Sequence, residues 1–562
     1  MRSGDRFSAS AVPGSAQPSG SAPPSASAQP AAAPESQPGQ PGPAHGAARP
    51  FARRAWAALA WALGAAALFT LFLRISLGDA PTSDPANNAL QAWDLLHGHL
   101  LLHGWILGDV TFYTFELPLI ALVEIFFGLH TIAVHVAEAL VYLIVTALAV
   151  AVAVTDSRGG ARVARAGVVA AVLAAPALIV SNIWIPLGFP DHTGTTVFFL
   201  VPFLLIDRLP HKWFTAPLVA ILLCAGQIGD VTVRYVAVPA IVLVCGYRVV
   251  VSGKFRSGDA ANVVAAVVSV PLSLAVRAVM KHFGAYVMVS PKTRIAPIAH
   301  WPHNAWLTWY AVRMLFGISG GPVAHPRPLG VASVFGTCCL LLAVAGMVRV
   351  VWRWRAACRA EQLLLLVIVL NVVVYAISTL PTPRTPHDLV VVLPAGAILG
   401  ARALVPRRIT GRLTALAAAG VATVAALLPL SWAAAASAPQ VPAYAVLATW
   451  LEKHGLHYGL GGYWDGSSVT LQSGGAVQVR TVHLVDGAIR PFPWETNTLW
   501  YDPARHYANF VVIDLVNIDL VPQAAPYFGK PVSSHDVGQW EVLIYNHNVL
   551  RVVRPPKLTH DS

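Results

Sequence analysis

Residues 130–154 read HTIAVHVAEALVYLIVTALAVAVAV, and residues 155–165 continue TDSRGGARVAR. The first stretch is apolar on nearly every side, with only His135 and Glu138 ionisable beyond its first residue, so as a helix it has no polar face to turn to water. A bilayer core takes about 20 such residues in a helix, and this run is long enough. The second stretch brings Arg158, Arg162 and Arg165. An apolar run closed by a basic loop is a membrane span with a topology signal at its end.

The same pattern recurs along the chain. Comparable runs lie at 56–73, 164–182, 195–207, 215–228, 235–250, 261–279, 330–349, 362–380, 387–403 and 413–434, which predicts about eleven transmembrane helices. Composition agrees: 56% of residues are hydrophobic and 11% charged, against about 25% charged in soluble domains. The net charge of +12 does not mark a nucleic-acid partner, because the basic residues fall in short clusters between apolar runs. Those clusters are Arg49, Arg53 and Arg54; Arg158 to Arg165; Arg208 and Lys212; Arg248 to Arg256; Arg349 to Arg359; and Arg402 to Arg412. Counted through the spans they share one face, which the positive-inside rule makes cytoplasmic.

The opposite face then receives 74–129, 183–194, 229–234, 280–329, 381–386 and everything after about 435. With it come most of the carboxylates between the helices. The expected organisation is a disordered cytoplasmic tail over residues 1–54, a transmembrane domain over 55–435 with its first outer loop at 74–129, and a small extracytoplasmic α/β domain over 436–562. Ala, Pro, Ser, Gly and Gln dominate the tail, leaving little to bury. The outer domain starts with an amphipathic helix, Tyr444 to His454, and holds strand-like runs at 476–484, 509–516 and 541–546. All five cysteines lie in or beside the spans, so none can staple this domain. The chain is expected in the plasma membrane.

The loop after the first span reads LGDAPTSDPANNALQAWDLLHGHLLLHGWILGDVTFYTFELPL, residues 77–119. Asp84 before Pro85 suits a helix start, with Asp as the cap. At 100° per residue Asn87, Asn88, Gln91 and Asp94 follow it on one face, which predicts a helix at the membrane surface with its polar edge toward a cavity or water. Asp84 is then either a cap or an acid presented for chemistry. Asp109 is equally suited to a Gly-Asp turn, and Glu116 to a solvated position.

An acid just after the first span, a surface helix and the aromatic GWILGDVTFYTFELP segment (104–118) together resemble the first loop of GT-C superfamily membrane glycosyltransferases. PTPRTPHDLVVVLP (381–394) is similar to an Arg-containing element found late in that superfamily, which maps onto Arg384. LEKHGLHYGLGGYWDGSSVTLQSGGAVQVR (451–480) resembles the start of the outer domain in bacterial members. The resemblance implies a GT-C-like core, a polyprenyl-phosphate sugar donor and an extracytoplasmic glycan, lipid or protein acceptor. It also implies inverting attack assisted by a loop carboxylate. Asp84 is the expected base and Arg384 the expected donor-phosphate ligand. No second acid adjoins Asp84, which leaves Asp109, Glu116 or none as its partner.

Asp191 and His192 stand at an outer helix junction and either line the cavity or cap the next helix. Asp230 and Arg234 flank a short outer turn, where a local ion pair is expected and phosphate binding by Arg234 is the alternative. His135 and Glu138 lie within a span, where ionisable groups are costly and tend to line a cavity or pathway. His97, His99 and His103 complete no metal set. No cofactor is specified, and a divalent cation is left open. The loop 280–329 interleaves Lys281, Lys292, Arg294, Arg313 and Arg327 with aromatic residues, as an interfacial belt or a site for lipid phosphate. The competing class is a transporter or flippase for a lipid-linked substrate. His135, Glu138 and Arg277 favour it, and the lack of an inverted repeat counts against it.

Overall fold

A computed structural model describes residues 48–188, 192–289, 293–319, 330–437, 443–516 and 522–556. Residues 1–47 of the expected tail, together with Asp191, Lys292 and Arg327, lie outside the described residues. Trp61–Ser562 form one compact unit.

The helices before residue 300 are α1 (Ala48–Ser76), α2 (Ser83–Leu96), α3 (Glu116–Phe127), α4 (Thr131–Ala153), α5 (Gly160–Ala174), α6 (Val180–Leu187), α7 (Val197–Arg208), α8 (Thr215–Gly229), α9 (Val238–Ser252) and α10 (Gly258–His282). After it come α11 (Trp301–Leu315), α12 (Gly330–Trp352), α13 (Arg359–Ile377), α14 (Val392–Leu404), α15 (Arg412–Ala436), α16 (Ala443–Lys453) and α17 (Tyr463–Gln472). Among the described residues nine helical segments are long and apolar enough to cross a membrane. The other two expected spans are the shorter helices α7 and α8, of 12 and 15 residues. The span expected at 164–182 is also broken. Helix α5 ends at Ala174, a 3-10 turn carrying Pro176 follows, and α6 starts anew, because proline cannot continue the hydrogen-bond ladder.

Helix packing uses small residues where backbones meet. Gly396 and Gly400 stand one turn apart on α14, against Ala343 and Leu342 of α12, and a Cβ on Gly346 of α12 would lie 2.5 Å from the Leu399 carbonyl carbon. Such close approach is how apolar helices gain contact where lipid gives no hydrophobic drive.

Four of the basic stretches, around residues 156–165, 248–259, 349–361 and 402–407, come together on one face. Asp156 pairs with Arg165 and, at 2.7 Å, with Arg407; Arg359 pairs with Asp259 at 2.6 Å; and Arg349 reaches Glu361 at 3.5 Å. On the opposite face, called here the domain face, the loops clasp one another. Thr379 N–H donates to the Arg294 carbonyl, and Tyr286 N–H to the Leu101 carbonyl.

The strands are β1 (Trp105–Leu107), β2 (Val287–Met288), β3 (Tyr458–Gly461), β4 (Gln478–Val485), β5 (Ala488–Pro491), β6 (Thr496–Asn497), β7 (Phe510–Asp514), β8 (Ser533–Val537) and β9 (Trp540–Ile544). Six form the sheet of the C-terminal domain, in the order β5-β4-β3-β7-β9-β8. The unit β3-α17-β4 is parallel, with Leu460 beside Arg480, and β4-β5 is a hairpin turned by Asp486 and Gly487, both at positive φ. Alternation along the strands separates two apolar layers. Leu460, Val482, Val511 and Leu543 pack on Phe528, while Val479, Phe510, Val512 and Val542 pack on Leu447 and Leu451 of α16 and Val469 of α17. A second, three-stranded sheet joins this domain to the membrane part, with β1 parallel to β2 and antiparallel to β6.

Helix α2 is more deeply covered than the sequence pattern implies. Its polar edge does not face water: Asn87, Asn88 and Gln91 are at most 1% exposed, and α17 of the domain lies across them. The exposed apolar surface belongs instead to α3, where Leu122, Ile125, Phe126 and Phe127 point outward. On α11 Trp306 and Trp309 are exposed, Trp306 stacking between His303 and Tyr310, as befits an interfacial belt.

Candidate functional site

Asp84 lies in the first turn of α2, one residue past the helix start at Ser83, with Thr82 in the cap position. It is therefore not the cap that the Asp-Pro pair predicts, and its carboxylate is taken up elsewhere. The Tyr463 hydroxyl donates to Asp84 Oδ1 and lies 3.1 Å from Glu495 Oε2. Asn87 Nδ2 approaches the same Glu495 oxygen at 3.4 Å, and the Ser467 hydroxyl donates to Asn87 Oδ1. The Ser83 hydroxyl donates to the Tyr463 carbonyl.

Local structure explains the delivery of these groups. Strand β3 runs into Gly461 and Gly462, and α17 begins at Tyr463, so the tyrosine leaves a strand-to-helix turn above α2. Its ring stacks on Phe492 at 4.6 Å. Glu495 is 3% exposed and sits at φ +48°, a conformation that costs an ordinary residue free energy and recurs at functional sites. Burial first, and then the charges of Glu495 and Asp84, push the Tyr463 phenol well above its usual range. It remains a protonated donor at neutral pH.

Two small cavities meet Pro85, the residue after Asp84, and share Glu138 as lining. One also meets Asn88, Glu116 and Val134; the other meets Asp79, His135 and Trp184. Within the second, the Ser76 hydroxyl donates to Glu138 at 2.6 Å and lies 2.8 Å from His135 Nδ1. His135 and Glu138 thus line a cavity together. Glu116, expected to be solvated, is 5% exposed, and its Oε1 lies so close over Gly194 that a Cβ there would overlap it.

His192 joins three segments of the domain face. Its Nδ1 lies 2.5 Å from Asp230 Oδ2, and its Nε2 lies 2.9 Å from Asp388 Oδ1. Thr195 Oγ1 and Thr232 N–H each donate to Asp230 at 2.7 Å, and the His387 ring stacks at 6.0 Å. Burial opposes the imidazolium, but the carboxylates of Asp230 and Asp388 outweigh it and raise His192 well above its usual value. Burial likewise opposes the Asp230 carboxylate, and His192 with the two threonines overcomes it and lowers Asp230 to about 2.

The expected Asp230–Arg234 ion pair does not form, because His192 occupies Asp230 and the Arg234 side chain runs toward the spans. There it meets Gln227 Oε1 at 3.2 Å and Ser273 Oγ at 3.4 Å. Arg277 of α10 stands close enough that Tyr286 and Arg234 are its charge neighbours, and it contacts Met288 Sδ. Among the described residues neither arginine makes a salt bridge.

Asp109 accepts the N–H of Val110 at 3.1 Å, and Val110 bridges to Asp230, while Thr111 donates to the carbonyls of Ile228 and Gly229. The first loop thereby clasps the end of α8. Arg384 sits exposed in the turn whose later residue Asp388 His192 holds. Asp191 lies outside the described residues. Helix α2 stops at Leu96, so His99 and His103 do not share a helix; His103 bonds the Gly284 carbonyl at 2.8 Å instead. Among the described residues no group of three or more His, Cys, Asp or Glu side chains is arranged to hold a metal ion.

No protein-family model matches this sequence, and no curated protein sequence matches it. Solved structures do. ArnT from Cupriavidus metallidurans in the apo state aligns over 89% of this chain and 100% of its own, with a TM-score of 0.50 and 14% identity. This chain has the GT-C fold. The crystal structure of the same ArnT bound to undecaprenyl phosphate aligns at a TM-score of 0.49 with 12% identity, over 88% of this chain and 99% of that one. The Archaeoglobus fulgidus oligosaccharyltransferase in its apo form aligns at 0.40 with 11% identity, over 80% and 69%.

Within this GT-C fold, sequence reasoning singles out Asp84, Glu116, His135, Glu138 and His192 but misses Glu495. In its sequence setting, PWETN, nothing separates it from a solvated loop acid. Tyr463 stands out in the sequence only as part of a Gly-rich segment. The signal that finds it is the strand-Gly-Gly-helix junction, which is legible once β3 is recognised.

Proposed function

We propose that this chain is a membrane glycosyltransferase that moves a sugar from a polyprenyl-phosphate donor to an extracytoplasmic acceptor, with Asp84 as the base and the domain face outward. The observation that carries this is the place of Asp84: at the start of α2, partly exposed, held by Tyr463, and next in the chain to Pro85, which lines cavities with Asp79, Glu116, His135 and Glu138, in a chain of GT-C fold.

The acceptor hydroxyl oxygen bonds to the anomeric carbon, its proton passes to Asp84, and the bond from that carbon to the lipid phosphate breaks with the electron pair leaving on phosphate. A positioned base is worth about 10² to 10⁴ in rate. The leaving phosphate needs cations. Arg234 and Arg277 supply two near the membrane boundary that no carboxylate among the described residues pairs with, and Arg234 stands on a π-helical segment, Val233–Ala237, a distortion often found at functional sites. Arg384, on the turn anchored by His192, is the third candidate.

The test is transfer of radiolabelled sugar from a panel of polyprenyl-phosphate donors by membranes carrying the wild type or Asp84→Asn at matched expression. The proposal expects transfer by the wild type and loss of at least about 10² in the variant. Equal transfer by both removes Asp84 and directs attention to Asp109 and Glu116. No transfer from any donor favours transport of the lipid-linked substrate.

A further inference from the structure

We infer that Tyr463 and Glu495 are positioning residues for Asp84, so that the C-terminal domain is a working part of the reaction centre and not only its roof. This rests on Asp84 acting as the base.

The geometry is specific. A carboxylate at a helix start can rotate about its side-chain bonds, and a base must present one oxygen to the acceptor proton within hydrogen-bond reach. Tyr463 donates to Oδ1 of Asp84 and so fixes which oxygen is turned to the domain. Tyr463 is itself held at four points: by Glu495 at 3.1 Å, by stacking on Phe492, by the Ser83 hydroxyl at its carbonyl, and by the rigid turn out of β3. Glu495 is in turn reached by Asn87 from α2, the helix that carries Asp84. The contacts therefore close a ring, from Asp84 to Tyr463 to Glu495 to Asn87 and back along one turn of α2.

The ring crosses between domain and membrane part twice. Its supports are local: Thr496 and Asn497, next to Glu495, pair with β1 of the first loop, and Trp494 covers Gly108 so closely that a Cβ there would overlap its ring. A domain that only bridged the outer helices would have no need to bury a glutamate at positive φ against a phenol. Such a residue persists only where the surroundings over-determine it.

Removing the phenol hydroxyl leaves the ring stack intact and lifts the restraint on the carboxylate. Misplacement of about 1 Å in a reacting group costs on the order of 10²-fold.

The experiment compares the purified full-length wild type with Tyr463→Phe, Glu495→Gln, Glu495→Ala and Asp84→Asn in sugar transfer, with kcat and acceptor KM determined separately. Unfolding midpoints are measured alongside. Tyr463→Phe is expected to lower kcat by about tenfold to a hundredfold with little change in acceptor KM. Glu495→Gln, which still meets the phenol, is expected to keep several-fold more activity than Glu495→Ala. Wild-type kcat in a folded Tyr463→Phe protein, or equal activity of the two Glu495 variants, overturns the inference while an inactive Asp84→Asn leaves Asp84 as base. A fully active Asp84→Asn, or a wild type that transfers nothing, overturns both.

Discussion

Replacing His192 by Gln leaves the buried Asp230 and the partly exposed Asp388 without the cation that now lies between them at 2.5 and 2.9 Å. The cost follows from Asp230, which is 3% exposed and lowered from 3.8 to about 2. At about 1.4 kcal/mol per unit that is roughly 2–3 kcal/mol of stability. Breaking a buried pair costs about 3–5 kcal/mol in general; here Thr195 and Thr232 stay bonded to Asp230, so the lower end is expected, about 2–3 kcal/mol. The raised His192 and lowered Asp230 report one interaction and are not summed. The pH dependence has a definite sign. The His192 contribution is complete below its unfolded value near 6.5 and fades as pH rises through its raised folded value; the Asp230 contribution is complete above 3.8 and fades as pH falls toward about 2. The gap between wild type and His192→Gln is thus widest between about pH 4 and 6.5 and narrows toward alkaline pH. Equilibrium unfolding in detergent from pH 4 to 10 measures it. A gap that stays constant or grows up to pH 10 refutes the charged imidazolium.

Three further outcomes rest on the packing. Gly346→Ala drives a Cβ into the backbone of α14 at Leu399 and is expected to cost about 1–3 kcal/mol in detergent unfolding. Gly194→Ala drives a Cβ into the Glu116 carboxylate and to within 2.8 Å of Phe115 Cδ1; sugar transfer should fall several-fold in the initial-rate assay, with a smaller drop in the unfolding midpoint than Gly346→Ala gives. Arg234→Ala and Arg277→Ala should each raise KM for the lipid donor by about tenfold or more, the worth of one charge-assisted contact of roughly 1.5–3 kcal/mol, with kcat little affected. Titration of polyprenyl-phosphate donor in the transfer assay decides this.

The membrane part is largely legible because the bilayer imposes a composition that survives in any short window. The span read at 130–154 is α4, Thr131–Ala153, and the run at 413–434 is α15, Arg412–Ala436. The departures have local causes. Pro176 puts a 3-10 turn at the end of the span expected at 164–182, which runs over Gly160–Leu178, and α7 and α8 are shorter than the other spans. The polar stripe of α2 predicts an edge toward a cavity or water, and Asn88 does line a cavity; yet periodicity cannot distinguish either from a polar partner, and for Asn87 the partners are Ser467 and Glu495 of a domain some 400 residues on in the chain. The same limit governs the site. Asp84 is legible from its place after the first span, whereas its link to Tyr463 and the tie from His192 to Asp388 depend on contacts across the whole chain. Short-range logic also misplaces Arg234, four residues from Asp230 but turned toward Gln227 and Ser273.

The central claim is that a sugar leaves a polyprenyl phosphate at the face where Asp84 stands. The most direct measurement is mass spectrometry of purified protein in nanodiscs supplied with polyprenyl-phosphate sugars and envelope glycans, tracking free polyprenyl phosphate and glycosylated acceptor together. The account predicts that both rise in equal amounts with the wild type and that neither rises with Asp84→Asn. Equal rises with the two proteins, or polyprenyl phosphate released with no glycosylated product, would contradict it.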